Sequence, residues 1–357
     1  MEEKYKGVIF ELDYGKDIKI DVKDKKILAA LAKNSRISPT HLSKIVGLSK
    51  DAIRYRIQKL KEKDVIRKNL LIVNPFIFFT PYTILLRLEN INEEKEKKII
   101  EFFINHPFII WFGQCSGEWD FAINILSKDV KHFDMLMKEI KTKCLGNLKN
   151  YETMPIISLN KYETLPQSFY KELKIDVNSL KTYFAYGENF GNNKVGLGKQ
   201  DINLDEQALK ILKILSNDAN AKIVDIAKKS RLSVDTVKHR IKKSTENKII
   251  LAFRTIINAS YLHYHGYISF FQLLPHVDAE KRKMFESFFN FHEETAFVLE
   301  TTGRYDFEVY IFAKDPLHFN TLLREIRNKF YDIIESHMTL MVLKDYKFDF
   351  LPKGLLD

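Results

Sequence analysis

The sequence predicts an α+β chain in which two helix-turn-helix units alternate with two β-α-β-β-α-β units. Three observations predict it. Ser38 to Lys63 has the spacing of two short helices around a tight turn. Tyr82 to Leu159 alternates strand-like and helix-like runs. The whole pattern then returns at an offset of 184 to 186 residues.

The first unit begins at a helix capped by Asp21, with Ile27, Leu28 and Leu31 turned inward. Ser38 caps the next helix, and Pro39 sits at its first position, where the missing N–H costs nothing. Leu42, Ile45 and Val46 make one apolar stripe, and Gly47 ends the helix because glycine takes a left-handed cap at little cost. Ser49 caps a second helix, with Ile53, Ile57 and Leu60 at helical spacing and Lys50, Arg54, Tyr55, Gln58 and Lys61 facing away. Such a second helix is built to enter the major groove of DNA. Val65-Ile66 and Leu70–Val73 read as two strands joined by Arg67-Lys68-Asn69, the hairpin of a wing.

The next stretch reads as a strand (Tyr82–Leu88), a helix (Glu93–Asn105), two strands around a glycine turn (Phe108–Cys115 and Trp119–Leu126), a helix (Val130–Lys143) and a strand (Glu152–Leu159). This is the ferredoxin-like order, with both helices on one sheet face. A second sheet of the same kind is expected to cover the other face. The repeat supplies it: Leu48, Ser49, Arg56 and Ile57 return as Leu232, Ser233, Arg240 and Ile241, and Gly117, Asp120 and Phe121 as Gly303, Asp306 and Phe307. The expected domains are a lead-in ribbon (1–17), winged helix-turn-helix units (18–75 and 201–259), ferredoxin-like units (80–166 and 264–352) and a linker or hairpin (167–200), rich in Gly and Asn over Tyr186–Gly198.

The net charge of +10 is concentrated. Lys50–Lys68 holds eight basic and three acidic residues, and Val234–Arg254 six and two; the rest of the chain is nearly balanced. Two equivalent basic elements are the footprint of a polyanion partner. The apolar runs are too short to span a bilayer, the N-terminus has no signal-peptide apolar region, and two cysteines make no disulfide framework or metal site. A cytoplasmic protein is expected, with no membrane partner, cofactor or metal.

Arg54 and Tyr55, with Lys238 and His239, are the expected base readers, since an arginine there can pair with O6 and N7 of guanine. Ser49, Lys50, Ser233 and Val234 open the two reading helices. Arg56 and Arg240 lie beside the apolar stripe, where a phosphate contact or an intradomain pair is expected. Lys59, Lys242 and Lys243 are phosphate candidates, and Arg67 and Lys68 are placed at a wing tip. His263 and His265 form a metal-like pair for which a strand-edge pair is the commoner explanation. His106 and His292 repeat at a helix C-terminus, where a histidine meets the dipole favourably and no catalytic role is needed.

The run Leu48-Ser49, Ile53, Arg56-Ile57, Leu60, Val65-Ile66 resembles the helix-turn-helix of the leucine-responsive, AsnC-type (Lrp/AsnC) regulators of bacteria and archaea. Gly117-Glu118-Trp119-Asp120-Phe121 and Gly303-Arg304-Tyr305-Asp306-Phe307 resemble the turn of that family's effector-binding, dimerising domain. The resemblance covers nearly the whole chain twice and implies sequence-specific binding of double-stranded DNA and transcriptional control, activating or repressing. It implies an intrachain pseudo-dimer, and an effector pocket at Gly117, Trp119, Asp120, Gly303, Tyr305 and Asp306; a tight turn with the aromatic at the sheet interface is the competing reading. A further homodimer, the basal transcription machinery and a small-molecule effector are candidate partners. Arg231 at the turn glycine, Ser244 for Leu60, and Asp64 and Lys248 before the wings depart from the family pattern. The alternative is a fused siroheme decarboxylase-like enzyme of the same fold, whose His-containing motifs are missing from Phe112–Gly117 and Val298–Gly303.

Overall fold

The computed structural model describes residues 10–11, 18–176, 180, 194–197 and 204–351. Most of the expected lead-in ribbon and of the Tyr186–Gly198 connector lies outside the described residues. The first helical unit is α1 (Val22–Lys33), α2 (Pro39–Val46) and α3 (Lys50–Glu62). Asp21 caps α1 in a reciprocal box with Asp24, Ser38 Oγ accepts from His41 N, and Gly47 closes α2 at φ 69°. The second unit is α7 (Glu206–Asn217), α8 (Ile223–Ser230) and α9 (Val234–Glu246).

The expected wing hairpin does not form. Ile66–Val73 is one continuous strand, β2, and pairs antiparallel with its counterpart β8 (Ile250–Ile257). Arg67-Lys68-Asn69 holds no glycine or proline to reverse the chain, and an open edge is met by the equivalent edge of the repeat. Leu70 faces Arg254, its own counterpart at an offset of 184, so a pseudo-twofold axis passes through this ribbon.

The first ferredoxin-like unit is β3 (Thr80–Leu88), α4 (Glu93–Asn105), β4 (Ile109–Ser116), β5 (Phe121–Ser127), α5 (Val130–Lys143) and β6 (Leu148–Tyr162). A short helix, α6 (Gln167–Glu172), and strand β7 (Val195–Gly196) follow. The second unit is β9 (His265–Leu273), α10 (Ala279–Phe291), β10 (Thr295–Thr301), β11 (Phe307–Ala313), α11 (Pro316–Phe330) and β12 (Ile334–Phe348). The two sheets do more than face each other: they join at both edges into one ring, β12-β4-β5-β3-β6-β10-β11-β9 and back to β12. The two long strands make the joints. β6 pairs with β3 along its first half and with β10 along its second, and β12 does the same with β9 and β4. Strand β1 (Phe10–Glu11) adds to β12.

Leu85, Trp111, Trp119, Met154, Ile268, Phe270, Tyr305 and Leu340 fill the interior between the sheets. Helices α4 and α5 bury Ile99, Phe103, Leu136 and Ile140 against one outer face, and α10 and α11 bury Phe285, Phe289, Leu322 and Ile326 against the other. The halves repeat contacts as well as elements: Tyr82 stacks on Phe133 at 3.8 Å, and Tyr267 on Phe319 at 3.9 Å.

The halves also interlock through charge. Lys161 Nζ donates to the carbonyl of His292 at 2.9 Å, and Lys347 Nζ to that of His106 at 2.6 Å. Each lysine therefore meets the C-terminus of a helix in the opposite half. The histidine is the expected partner of each helix end; the lysines take that place. Burial, then Lys347, holds His106 down to about 4, and its Nδ1 accepts from Phe108 N at 3.2 Å, as a neutral ring does. Glu139, 3.6 Å from Nε2, is exposed and does not restore the charge.

Candidate nucleic-acid interface

Each helical unit presents its third helix outward because its apolar side is committed. Ile53 and Leu60 are buried in the first unit, Val237 and Ile241 in the second. On the outer face of α3, Lys50, Arg54, Tyr55 and Lys59 are exposed; Tyr55 is 60 % accessible, with Lys59 Nζ 4.6 Å above its ring. On α9, Lys238, His239, Lys242 and Lys243 are exposed. Arg54 reaches Asp51 at 3.1 Å, and Lys238 reaches Asp235 at 3.5 Å, the same surface pair in both copies. Such exposed pairs contribute little and open readily toward a phosphate or a base.

Other predicted residues are engaged inside the protein. Ser49 Oγ and Ser233 Oγ accept from Ala52 N and Thr236 N at 3.2 and 3.0 Å, leaving them at the helix N-termini. Arg56 Nη1 donates to Asp21 and Asp24 at 2.7 and 2.8 Å, and Arg240 pairs with Asp205 at 2.5 Å. Hydrogen bonds to Asp24 and Asp21 raise the Arg56 guanidinium above its usual range, so this arginine ties α3 to the start of α1. Val234 turns inward and packs on the second unit's core. Without a hairpin there is no wing tip: Arg67 is largely buried with Nη1 3.0 Å from Asp64, and Lys68 is half-buried along β2.

The glycine-aromatic-aspartate turns are occupied structurally. Asp120 Oδ2 accepts from Leu88 N at 2.7 Å, and Asp306 Oδ2 from Leu273 N at 2.8 Å. Trp119 and Tyr305 are buried between the sheets. Gly117 has φ 141°, and a side chain there would strike Leu340. Gly303 has φ 119° in the equivalent turn. His263 caps the turn before β9 and His265 lies on that strand; among the described residues no group of three potential ligands could hold a metal.

Sequence reasoning missed what holds the two reading units together. The loops after α1 and α7 meet across the pseudo-twofold axis. Arg36 donates to the carbonyls of Ala219 and Ala221 at 2.6 and 3.0 Å, and Asn220, its counterpart, donates to the carbonyl of Ser35 at 2.9 Å. Arg36 also lies over the Phe253 ring at 5.1 Å. Asn34 and Asp218 shape both loops alike, each accepting from the backbone N–H two residues on at 2.9 Å. That shared turn was the available signal. Beneath it, Glu163 receives Lys33 at 2.5 Å and Arg254 at 3.7 Å, joining the first unit, the ribbon and the barrel. Burial would raise Glu163, but Lys33 and Arg254 outweigh it and hold the carboxylate below its usual range.

A winged helix-turn-helix DNA-binding family matches the chain twice, over residues 20–67 and 204–249. The HTH-type transcriptional regulator FL11 of Pyrococcus abyssi is 35% identical over 146 residues, covering 41% of this chain and 93% of that protein. The same-named regulator of Pyrococcus furiosus is 26% identical over 146 residues, covering 41% of this chain and 94% of that one. Relatives of this kind thus span one module, and this chain carries two. The crystal structure of the siroheme decarboxylase NirDL covers 92% of this chain and 93% of its own with a TM-score of 0.54; at 12% identity this likeness concerns the fold.

Proposed function

Because the chain belongs to the Lrp/AsnC family of helix-turn-helix transcriptional regulators, we propose that it controls transcription by reading one asymmetric double-stranded DNA site with both of its units. The observation that carries this reading is the pair of outward basic helices, α3 and α9, fixed on one intrachain frame by the Arg36–Asn220 clasp and the β2–β8 ribbon. A symmetric homodimer reads a palindrome. Here one reader offers Lys50, Arg54 and Tyr55, and the other offers Lys238 and His239, so the half-sites differ.

Arg54 and Lys238 are the base-facing residues in this reading, and Lys50, Lys59, Lys242 and Lys243 meet phosphates. The half-buried, ion-paired arginines Arg56 and Arg240 position the helices. The regulator works in the cytoplasm; among the described residues no helix is long and apolar enough to cross a membrane. It is not an enzyme. The cavity between the barrel strands and the end of β8, about 110 Å³, has no histidine in its lining and presents carboxyls, where an acid-rich tetrapyrrole would need cations. Footprinting upstream of its own and neighbouring genes tests the reading. Affinity for the protected site falls about 10³-fold or more between 50 and 200 mM salt if six or more phosphates are neutralised. Salt-independent affinity, or no protection at low salt, overturns it.

A further inference from the structure

The two halves repeat many of their contacts, which makes the places where they differ informative. Glu308 on β11 stands where the first half has Ala122, and Asp345 on β12 stands where it has Leu159, both at the offset of 186. Both carboxyls line the same cavity of about 110 Å³, between the barrel strands and the end of β8. Its walls are otherwise mostly apolar, with Ile156, Phe297, Leu299 and Phe348 among them.

Glu308 is only 6% accessible. Its Oε2 accepts from Thr83 Oγ1 at 2.5 Å, and Thr83 in turn accepts from Asn124 Nδ2 at 2.9 Å. Asp345 Oδ1 accepts from Trp111 Nε1 at 2.9 Å. Among the described residues neither has an ion-pair partner, unlike Glu163 in the same lining, which has Lys33 and Arg254. Burial pushes both carboxyls up to about 7. Burial, then Asp345 and Glu308, also push up the Cys115 thiol. Glu308 is buried and Asp345 half-buried; carboxyls withdrawn from water without a cation are costly, and a duplicated half is free to lose them.

We propose that this cavity is a binding site for a small organic cation, a primary ammonium on a compact apolar body, held by the carboxyls of Glu308 and Asp345. The ammonium supplies the positive charge that the lining lacks, and the apolar body fills a space somewhat smaller than the ~150 Å³ that accommodates benzene. The floor includes Ile256, Ile257 and Asn258 at the end of β8, so the occupant touches the segment that carries the second reading unit. The site stands apart from the Gly117 and Gly303 turns, none of whose predicted pocket residues line it.

The test is calorimetric titration of the full chain without DNA, so it is independent of the DNA-binding reading. The probes are butylamine and isoamylamine, with isoamyl alcohol and isovalerate as neutral and anionic counterparts. At least one amine binds about tenfold or more tighter than the alcohol, and isovalerate does not bind. Glu308→Gln and Asp345→Asn each weaken that amine about tenfold and leave the alcohol unchanged. Both variants remove an uncompensated acid and melt at or above the parent temperature; should one fail to fold, the other decides. Equal binding of amine and alcohol, amine binding unaffected by the substitutions, or no amine binding up to about 10 mM overturns the proposal.

Discussion

The two helix-turn-helix units reach one fold from unequal local signals. In the first, Ser38 caps α2, Pro39 starts it and Gly47 ends it at φ 69°. In the second, Lys222 offers no side-chain cap to α8, Ile223 starts it, and Arg231 takes the left-handed end at φ 58°. Further on, Leu60 gives way to Ser244, which is buried all the same. The second unit has shed the cap and the glycine and still closes on a core of Ile211, Leu215, Ile226, Val237 and Ile241. What remains unequal is compensated by docking: the shared ribbon and the loop clasp hold the weaker copy against the stronger. Helix stability in proteins rests more on a packed face than on local preference, and this pair illustrates it.

The comparison breaks first at the shared hub. Glu163→Ala leaves Lys33 and Arg254 buried without their anion, and unfolding free energy drops by about 3–5 kcal/mol, read by urea denaturation. Both units loosen together, because Lys33 belongs to the first and Arg254 to the strand beside the second. If hydrogen exchange rises in only one unit, the two are not coupled through this site.

Acid acts on the interlock between halves. His106 is held down to about 4 in the folded chain, against about 6.5 when unfolded. The unfolded chain therefore takes up a proton that the folded chain refuses between these values. Its stabilising contribution is complete above about 6.5 and is lost as the pH falls toward 4, by up to about 1.4 kcal/mol per unit. His292 is shifted the same way, with burial the leading cause. Stability measured from pH 7 to 5 declines less in His106→Gln than in the parent; identical declines would remove His106 as the source.

The caps sharpen the comparison at smaller scale. Ser38→Ala costs about 1 kcal/mol and Lys222→Ser returns about as much, since each toggles one acceptor at a helix N-terminus. Thermal melts that move in opposite directions support unequal local signals, and equal insensitivity contradicts them. The smallest effect is at the turn. Arg231→Gly relieves a left-handed backbone and gains a few tenths of a kcal/mol after the added freedom of the unfolded chain, whereas Gly47→Ala loses about 1 kcal/mol.

Much of this was legible in the residues. Apolar periodicity, caps and the repeat placed the helices and the order of the strands, because those signals are local. Partner choice was not legible. Ile66–Val73 alternates as any strand does, and nothing in it says that its neighbour is the same strand of the other copy. The ring closure was hidden for the same reason, since a fifteen-residue strand does not declare that it serves two sheets. The outward face of α3 was readable from helical spacing, but Val234, Arg56 and Arg240 turn inward for reasons set by the neighbouring helix. His106 was misjudged because its charge depends first on burial and then on Lys347, more than two hundred residues away. Glu308 and Asp345 were available all along as mismatches between the copies, but an acid on a strand looks exposed until the ring closes over it.

The most direct test of the central claim, two unlike readers on one chain, is a footprint of the protein on its own upstream DNA alongside Arg54→Ala and Lys238→Ala. One continuous asymmetric site is expected. Arg54→Ala loses one half of it and about 1–3 kcal/mol of discrimination, and Lys238→Ala loses the other half with a smaller effect. A site whose two halves respond identically to both variants, or one untouched by either, would contradict the account.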